Sequence, residues 1–379
     1  MSYVVLETNL NNKNSCVNNR STVRLMRKRF RSVGWLLTIL VLLAGCGPTS
    51  AAPQPTLMPL LPQATRTPRQ GPPPTVVVQN SDAELKGRIL FVRAGDVWLW
   101  QGSKGSAIID SGHAFQPAWS PDGSRIAYIN RTESASDLLV MDVEGGEPLW
   151  LTNDGSNSSR YSYERIYSSI WAFYPAWSPD GSEIAFVSQA GPPYGSPAAE
   201  YRLTLYVIAA NNPGGRIQFY ANDRGHVGDL AYAPDGDTIV FSFAPVNTDP
   251  PLLYRIQRAT GQAEPFPNIP EYSNDPAFSP DGRWLAFTAP SPQGTDAFVV
   301  PADGGEPIQL TTLGGVRAPT FSPDGSQLAF LALAPGSTSF ELWVADLATN
   351  ANQQLVAQSP RQITNDMRID ADSGLSWAR

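Results

Sequence analysis

Cysteine and histidine are nearly absent from this chain of 379 residues, which contains two of each. Both cysteines, Cys16 and Cys46, lie near the N-terminus, so the rest of the chain can form no disulfide and has no thiol nucleophile. Gly-x-Ser-x-Gly, His-Glu-x-x-His and Gly-Lys-Ser/Thr motifs are also missing. These absences remove the usual signatures of serine hydrolases, zinc peptidases and nucleotide hydrolases. We therefore expect no catalytic residues, no metal ion and no cofactor.

An apolar segment long enough to span a membrane is missing too. The run at residues 33–45 is interrupted only by Thr38, and as a helix it would extend about 20 Å, against roughly 30 Å for the hydrocarbon core. A basic cluster at residues 27–31 precedes the run, and Leu43-Ala44-Gly45-Cys46 ends it in a pattern that resembles a bacterial lipobox. Residues 1–46 are predicted to be a lipoprotein signal peptide that leaves Cys46 lipidated, with Met26 as an alternative start.

Basic residues are scarce after the predicted signal peptide. Residues 47–379 hold 20 Lys and Arg against 33 Asp and Glu, a balance that disfavours nucleic acids and anionic lipid surfaces as partners. Residues 47–86 are rich in Pro and Thr and poor in apolar side chains, which predicts a disordered tether. We expect contact with the membrane through the lipid anchor only, and a monomeric protein.

The most informative feature that is present is a repeat. Pro-Ala-Trp-Ser-Pro-Asp-Gly-Ser-Arg-Ile-Ala-Tyr-Ile occupies residues 117–129, and similar segments occupy residues 175–187, 230–242, 276–288 and 319–331. The Ser-Pro-Asp-Gly core suits a type I turn, because Pro presets the second position and Gly accepts the positive φ that follows. The Ile-Ala pair after the turn begins a short apolar strand suited to burial on both faces.

A sixth copy is divided between the two ends of the chain. Its front half is Leu375-Ser376-Trp377, and its back half is Gly-Arg-Ile-Leu-Phe-Val at residues 87–92. The residues before each turn form a first strand and the apolar run after it a second, and two further strands follow, as at residues 137–142 and in the Gly-rich hairpin at residues 145–152. Four strands in a repeat of 43 to 58 residues indicate a β-propeller. We predict an all-β fold for residues 87–379, a six-bladed propeller of four-stranded antiparallel blades whose C-terminal strand closes the ring by joining the first blade.

The shared pattern Pro-Ala-Trp-Ser-Pro-Asp-Gly-Ser-x-Ile-Ala-Phe resembles the WD-like repeat of the TolB family of bacterial propellers. The resemblance covers residues 87–379 and implies the propeller fold. The motif itself is structural, and similar propellers occur in periplasmic adaptors, surface lipoproteins and the gating domains of some serine peptidases. The two-layer domain that precedes the propeller in TolB has no counterpart in this chain, and we expect no hydrolase domain after the ring.

One face of the predicted propeller carries all the insertions. The loops between second and third strands and between blades share this face, and the longer ones lie at residues 153–172, 188–202, 243–251, 289–295 and 332–340. Loops on a rigid scaffold commonly carry binding sites. The first insertion is rich in the Tyr, Trp and Arg that dominate protein interfaces. Its candidate protein-binding residues are Arg160, Tyr161, Tyr163, Tyr167 and Trp171. The alternative is that these side chains cover their own loop.

The mouth of the central channel is a second candidate site. Both histidines occupy one repeat position, nine residues before the turn Asp, where the innermost strand begins. The residues expected to line the mouth are His113, Trp171, His226, Tyr272, Asn274, Arg317 and Asp372. Two His side chains there could hold a metal ion with water or a carboxylate, but polar rim residues of a solvated channel are the simpler interpretation.

Together these patterns predict an exported, lipid-anchored propeller that faces the periplasm or the cell surface. We expect it to bind an envelope or secreted protein or peptide without catalysis. The alternative function is a small-ligand, carbohydrate or metal site at the channel mouth, with lyase or hydrolase activity.

Overall fold

The structure is a computed structural model, and it describes residues 75–77, 85–159, 161–191, 202–247, 249–334 and 336–379. The predicted signal peptide, its lipidation site Cys46 and the loop residue Arg160 lie outside the described residues, as does most of the predicted tether. The described chain is almost entirely strand and turn, arranged as six antiparallel sheets. The all-β, six-bladed architecture predicted from the repeat is confirmed.

Each sheet is one blade of the propeller, with its strands named from the innermost outwards. Blade 1 comprises β25 (Ser376–Ala378), β2 (Leu85–Arg93), β3 (Asp96–Gly102), β4 (Lys104–Ile109) and, outside β4, β1 (Thr75–Val77). Blade 2 comprises β5 (Ala114–Trp119), β6 (Arg125–Arg131), β7 (Ser136–Asp142) and β8 (Leu149–Trp150). Blade 3 comprises β9 (Ala172–Trp177), β10 (Glu183–Gln189), β11 (Leu203–Ala209) and β12 (Ile217–Tyr220), and is preceded by α1 (Tyr163–Tyr167).

The second half of the ring repeats this order. Blade 4 comprises β13 (Gly225–Tyr232), β14 (Thr238–Pro245), β15 (Leu252–Gln257) and β16 (Gln262–Pro265). Blade 5 comprises β17 (Asn274–Phe278), β18 (Trp284–Ser291), β19 (Gly294–Pro301) and β20 (Ile308–Gln309). Blade 6 comprises β21 (Val316–Phe321), β22 (Gln327–Leu333), β23 (Phe340–Thr349) and β24 (Leu355–Gln362), and a 3₁₀ turn (Ala371–Ser373) leads from it to β25.

Blade 1 is assembled from strands far apart in the sequence. The C-terminal strand β25 pairs with β2, with Ile89 opposite Trp377 and Leu90 opposite Ser376. The innermost strands contact one another in the order β25, β5, β9, β13, β17 and β21, and β21 in turn contacts β25. The two halves of the sixth repeat copy therefore meet in one blade, as the sequence predicts.

The hydrophobic core lies between neighbouring blades. Each second strand is apolar on both faces, and its aromatic residue is fully buried, as for Phe186, Phe241 and Phe287. One core layer joins Leu138 of blade 2 to Phe186 of blade 3. Burying such a side chain contributes about 1.5–3 kcal/mol. These layers hold the innermost strands in fixed positions around the channel.

The Ser-Pro-Asp-Gly turns are closed by their own side chains. Asp122 Oδ1 accepts hydrogen bonds from Ser120 Oγ at 2.6 Å and from the backbone N–H of Ser124 at 3.0 Å, while Gly123 has a φ of +68°. These bonds, that of Ser120 foremost, lower the pKa of Asp122 to about 2. The turn carboxylates thus stabilise the turns.

Arg side chains on the second strands connect neighbouring blades. The guanidinium of Arg125 lies 4.7 Å from the ring centre of Trp177 and donates to the carbonyl oxygen of Gly181 at 3.3 Å. Arg88 makes the same contacts with the next repeat, 4.5 Å from the Trp119 ring and 3.0 Å from the carbonyl oxygen of Gly123. The preceding blade therefore covers the rings of Trp119 and Trp177.

Buried acidic residues stabilise the ends of the blades that lie opposite the Ser-Pro-Asp-Gly turns. This feature was not predicted from the sequence. Asp296 Oδ1 accepts hydrogen bonds from Thr311 Oγ1 and from the N–H of Leu313, both at 2.8 Å. Glu341 and Thr364 form the same contact at 2.6 Å in blade 6. An acidic residue at the start of a third strand, with Leu-Thr or Ile-Thr after the fourth, is the sequence signal for this contact.

Three segments differ from the sequence-based predictions. Strand β1 lies within the predicted tether and pairs with β4. The first insertion contains the short helix α1. The predicted insertion at residues 289–295 is mostly strand, since β18 extends to Ser291 and β19 begins at Gly294. In this last segment, Ser291 Oγ donates to Asp296 Oδ2 at 2.6 Å, which stabilises a tight hairpin in place of an open loop.

Candidate functional site at the mouth of the central channel

The innermost strands share a β-bulge that redirects one residue in each repeat. The register against the second strand shifts between Phe115 and Ala118 in blade 2, and equivalent shifts occur in blades 3 to 6. The bulged residue stands six positions before the turn Asp and has a positive φ in four of these blades, at Gln116, Tyr174, Asp275 and Ala318. Bulges commonly re-aim a side chain near a functional site.

The bulged residues surround the central channel, a cavity of about 820 Å³. They belong to the lining together with two charged neighbours from blades 6 and 1. We define the mouth cluster as Gln116, Tyr174, Asp229, Asp275, Arg317 and Asp372. Because each innermost strand runs from the insertion-bearing face to the turn-bearing face, the mouth cluster lies toward the insertions. The rest of the lining consists of small residues, prolines and the aromatic residues that precede the turns, with Arg379 as a further charged residue.

Hydrogen bonds within the mouth cluster connect one blade to the next. Gln116 Oε1 accepts from the backbone N–H of Tyr174 at 2.8 Å. Asp229 accepts in the same way from the N–H of Asp275, and Asp275 Oδ2 accepts from the N–H of Ala318 at 3.1 Å. The bulged side chains therefore hold one another in place and present a preorganised surface.

Carboxylates outnumber cations at this site. Arg317 lies between two of them, with Nε 2.9 Å from Asp275 Oδ2 and Nη1 3.3 Å from Asp372 Oδ1. Burial acts to lower the pKa of Arg317, but the carboxylates of Asp275, Asp372 and Asp229 outweigh it, so the net shift is upward. Burial, followed by the neighbouring carboxylate of Asp275, raises the pKa of Asp229 to about 6.

The same carboxylates also affect the pKa of Tyr174. Burial raises its pKa to about 12, the carboxylates of Asp229, Asp275 and Asp372 add to the shift, and Arg317 opposes it. Among the described residues, none forms a hydrogen bond with the Tyr174 hydroxyl. The phenol is thus free to bind a ligand.

The structure brings together only part of the predicted channel set. Asn274, Arg317 and Asp372 line the cavity, whereas His113, Trp171, His226 and Tyr272 do not. The four residues that do not line the cavity all stand nine positions before the turn Asp, whereas the bulge presents the residue six positions before it. In the sequence, this position shows as the one that varies between Gln, Tyr, Asp and Ala directly before each copy of the repeat.

The four excluded residues have other environments. His113 is exposed, and His226 Nδ1 accepts a hydrogen bond from the N–H of Leu203 in the adjoining blade at 3.4 Å. Tyr272 lies at the rim and is 55% exposed. Trp171 stacks on Phe173 with ring centres 6.1 Å apart. The two histidines therefore do not meet in the channel.

The predicted protein-binding loop divides into an exposed and a packed part. Tyr161 and Tyr163 are 77% and 61% exposed, whereas Tyr167 and Trp171 are partly buried. The loop is held to blade 2 by an ion pair of Arg165 with Glu133 at 3.6 Å. Among the described candidate residues of this loop, Tyr161 and Tyr163 are therefore the two that are fully available to a partner.

Clustered metal ligands and membrane-spanning helices are absent from the described part of the chain. No group of three or more His, Cys, Asp or Glu side chains there is placed to hold a metal ion. No helix in the same described ranges is long and apolar enough to cross a membrane.

Family comparison identifies the propeller. The model of the TolB beta propeller domain matches residues 164–363, which is more than half of the chain. The chain belongs to the TolB-type propeller family. The resemblance seen in the Pro-Asp-Gly repeats is confirmed, and the match starts within the insertion that contains α1.

Similarity to individual proteins is weaker than the family match. The uncharacterized peptidase YuxL of Bacillus subtilis is 25% identical over 207 residues, which cover 53% of this TolB-type propeller chain and 26% of YuxL. The chain thus spans about a quarter of the length of that relative.

Solved structures show the same fold. The crystal structure of TolB from Acinetobacter baumannii superposes with a TM-score of 0.58 at 19% identity, covering 78% of this chain and 67% of that one. The putative TolB of Agrobacterium tumefaciens gives 0.51 at 15% identity, with 78% and 100% covered. A chain of a nidogen/laminin complex gives 0.53 at 12%, with 78% and 99% covered. At these identities the likeness concerns the fold alone.

Proposed function

We propose that this TolB-type propeller is an exported, lipid-anchored scaffold that binds a protein or peptide at the cell envelope without catalysis. The partner would bind on the insertion-bearing face, at the mouth of the central channel. The observation that carries this proposal is the open channel with preorganised, partly unpaired polar side chains at that end. The turn-bearing end is lined by prolines, by small residues and by the aromatic residues of the repeat, such as Trp119 and Trp177.

The size of the channel restricts what can enter it. A cavity of about 820 Å³ lies within the usual range for ligand sites, roughly 300–1,000 Å³. It admits a side chain or a short extended segment but no folded domain. A protein partner would therefore insert one segment and contact the rim with the rest of its surface.

Tyr161 and Tyr163 supply a rim contact on the same face. Both phenols are mostly exposed. Tyrosine offers a large contact area at a low cost in conformational entropy and is enriched in interface hot spots. These two residues are the part of the predicted loop that supports protein binding.

The lipid anchor is proposed from the sequence, because Cys46 lies outside the described residues. Metabolic labelling with a radioactive fatty acid tests it in the native host. We expect label in the wild-type protein and none in Cys46→Ser. A labelled Cys46→Ser protein would refute the anchor without affecting the binding proposal.

Site-specific photo-crosslinking tests the binding proposal for a partner of any identity. A benzophenone amino acid replaces Tyr163 on the insertion-bearing face or, as a control, the exposed Asp303 on the turn-bearing face. We expect a discrete adduct from position 163 in whole cells and none from position 303. Equal adducts from both positions, or none from 163 at saturating illumination, would contradict the proposal.

An enzyme acting on a small ligand or carbohydrate is the alternative, and one observation favours it. Asp229 and Asp275 are neighbouring carboxyl groups, and one has a raised pKa, as in acid–base pairs of glycoside hydrolases. Both oxygens of Asp229 already accept hydrogen bonds, from Ser242 and from Asp275. Hydrolysis or lyase cleavage of a polysaccharide panel that is lost in Asp275→Asn but not in Asp303→Asn would establish this alternative.

A further inference from the structure

The mouth cluster carries more negative than positive charge. Asp229, Asp275 and Asp372 face a single cation, Arg317. Arg317 is shared between Asp275 and Asp372, so it cannot neutralise all three carboxylates. A ligand that brings a negative charge would be repelled from this site, whereas a cation would be attracted.

Some hydrogen-bond acceptors of the mouth cluster have no partner among the described residues. Asp275 Oδ2 accepts from Arg317, from Ala318 and, at 3.0 Å, from Thr288 Oγ1, while Oδ1 has no partner among the described residues. The Tyr174 hydroxyl is likewise unpaired.

Resting on the function proposed above, we propose that the mouth cluster binds a positively charged Lys or Arg side chain of the partner segment. A Lys ammonium has three donors and no acceptor. The unpaired Asp275 Oδ1, the Tyr174 hydroxyl and the exposed Asp372 carboxylate offer matching acceptors.

A divalent metal ion fits these groups less well. Calcium takes six to eight oxygen ligands. Both oxygens of Asp229 already accept protein hydrogen bonds, and Asp275 Oδ2 accepts three. Few oxygens remain for a metal, and Arg317 stands among them. An ammonium or guanidinium group needs fewer acceptors and tolerates this geometry.

Defined peptides test the proposal on the full-length chain purified in detergent. The probes are acetylated and amidated Gly-Gly-X-Gly-Gly peptides in which X is Lys, Arg or the uncharged norleucine, titrated by ligand-observed NMR. We expect the Lys or the Arg peptide to bind at least tenfold more tightly than the norleucine peptide, because hydrogen bonds to charged groups are worth roughly that much. Equal binding of all three, or no binding of either basic peptide up to about 10 mM, would overturn the inference.

Three variants locate the binding site. We expect Asp372→Asn to weaken the basic peptide roughly tenfold and Tyr174→Phe severalfold, with no change for Asp303→Asn. The Asp372 side chain is 86% exposed, and Tyr174→Phe removes only an unpaired hydroxyl, so both variants should fold. An equal loss in Asp303→Asn would show a non-specific charge effect and refute the site.

Two outcomes separate this inference from the proposed function. An adduct at position 163 combined with indifference to the charge of X refutes the inference and leaves protein binding intact. Tight binding of the basic peptides without any adduct refutes the protein partner and retains the cation site. Stoichiometric displacement of the Lys peptide by calcium chloride alone, unaffected by Tyr174→Phe, would assign the site to a metal instead.

Discussion

Replacing Asp229 by Asn should stabilise the propeller at neutral pH, although the residue is hydrogen-bonded and lies in the channel wall. Asp229 accepts from Ser242 Oγ and from the N–H of Asp275. An Asn amide can keep both bonds, with its oxygen accepting from Asp275 and its nitrogen donating to the Ser242 hydroxyl. The substitution therefore removes mainly the charge.

The sign follows from the direction of the pKa shift. Burial and the Asp275 carboxylate raise the pKa of Asp229 from 3.8 to about 6, so the folded state binds a proton more tightly than the unfolded state does. This contribution to stability is fully present below about pH 4 and is lost as the pH rises through 6. The charged groups that interact with Asp229 are Asp275 and Arg317, with Tyr174 nearby.

The magnitude follows from the same shift. Two pKa units correspond to about 3 kcal/mol, and because Asp229 is partly open to the channel we expect about 1–3 kcal/mol. Urea unfolding of the wild type and of Asp229→Asn at pH 4.5 and pH 7.5 measures it. The free energy of unfolding of the variant, relative to the wild type, should increase between the two pH values.

Asp303→Asn is the matched control, since it removes an exposed carboxylate outside the channel. Its stability relative to the wild type should not change with pH. A difference between Asp229→Asn and the wild type that is the same at both pH values would refute the reasoning. So would a variant that is less stable than the wild type only at pH 7.5.

Three further predictions concern other parts of the propeller. Asp296→Ala leaves the Thr311 hydroxyl and buried N–H groups unpaired and should lower the free energy of unfolding by about 3–5 kcal/mol, whereas Asp296→Asn should cost clearly less; urea unfolding compares them. Gly87→Ala should cost at least about 2 kcal/mol in the same assay, because Gly87 has a φ of +93° and an added Cβ would lie 2.3 Å from the carbonyl oxygen of Ala378. Tyr163→Ala should leave the melting temperature unchanged and abolish the adduct of a crosslinker at position 161; an unchanged adduct would exclude Tyr163 from the interface.

The blades were predictable from the sequence because their determinants are local. The Ser-Pro-Asp-Gly turn is closed by bonds between residues two to five positions apart, such as those of Asp122 and Ser120. The apolar second strand follows at a fixed distance. Even the long-range pairing of β2 with β25 was predictable, since each strand carries half of a pattern that is complete in five other places.

The lining of the channel was not predictable in the same way. A simple strand alternates its side chains between two faces, but the bulge inserts one residue and changes this alternation. Glycine is the residue that usually marks such a position. In this propeller the positive φ is adopted by Gln116, Tyr174, Asp275 and Ala318, so the usual signal is missing.

The contacts of buried acidic residues were missed for another reason. Asp296 and Thr311 are far apart in the sequence and meet only once the blade is folded. In the sequence, Asp296 looks like one of many surface carboxylates. Its buried partners, the Thr311 hydroxyl and the N–H of Leu313, lie after the fourth strand, so the sequence signal emerges only when several blades are compared.

The location of the bulge explains why the residue at one position of the repeat can determine which partner segment binds. A left-handed conformation costs a non-glycine residue roughly 1–2 kcal/mol, and this fold accepts that cost in four blades. The backbone thereby directs the side chain toward the channel in each of these blades, while Tyr174 and Ala318 also pack against the core between blades. Blades 2 to 5 place larger polar residues there, whereas blade 6 places Ala318, and Gly374 occupies the equivalent repeat position before β25 of blade 1. The small residues leave space on one side of the mouth, and Arg317 and Asp372 line that side. A partner segment would therefore be recognised by this asymmetry, since the rest of the repeat is nearly the same in every blade.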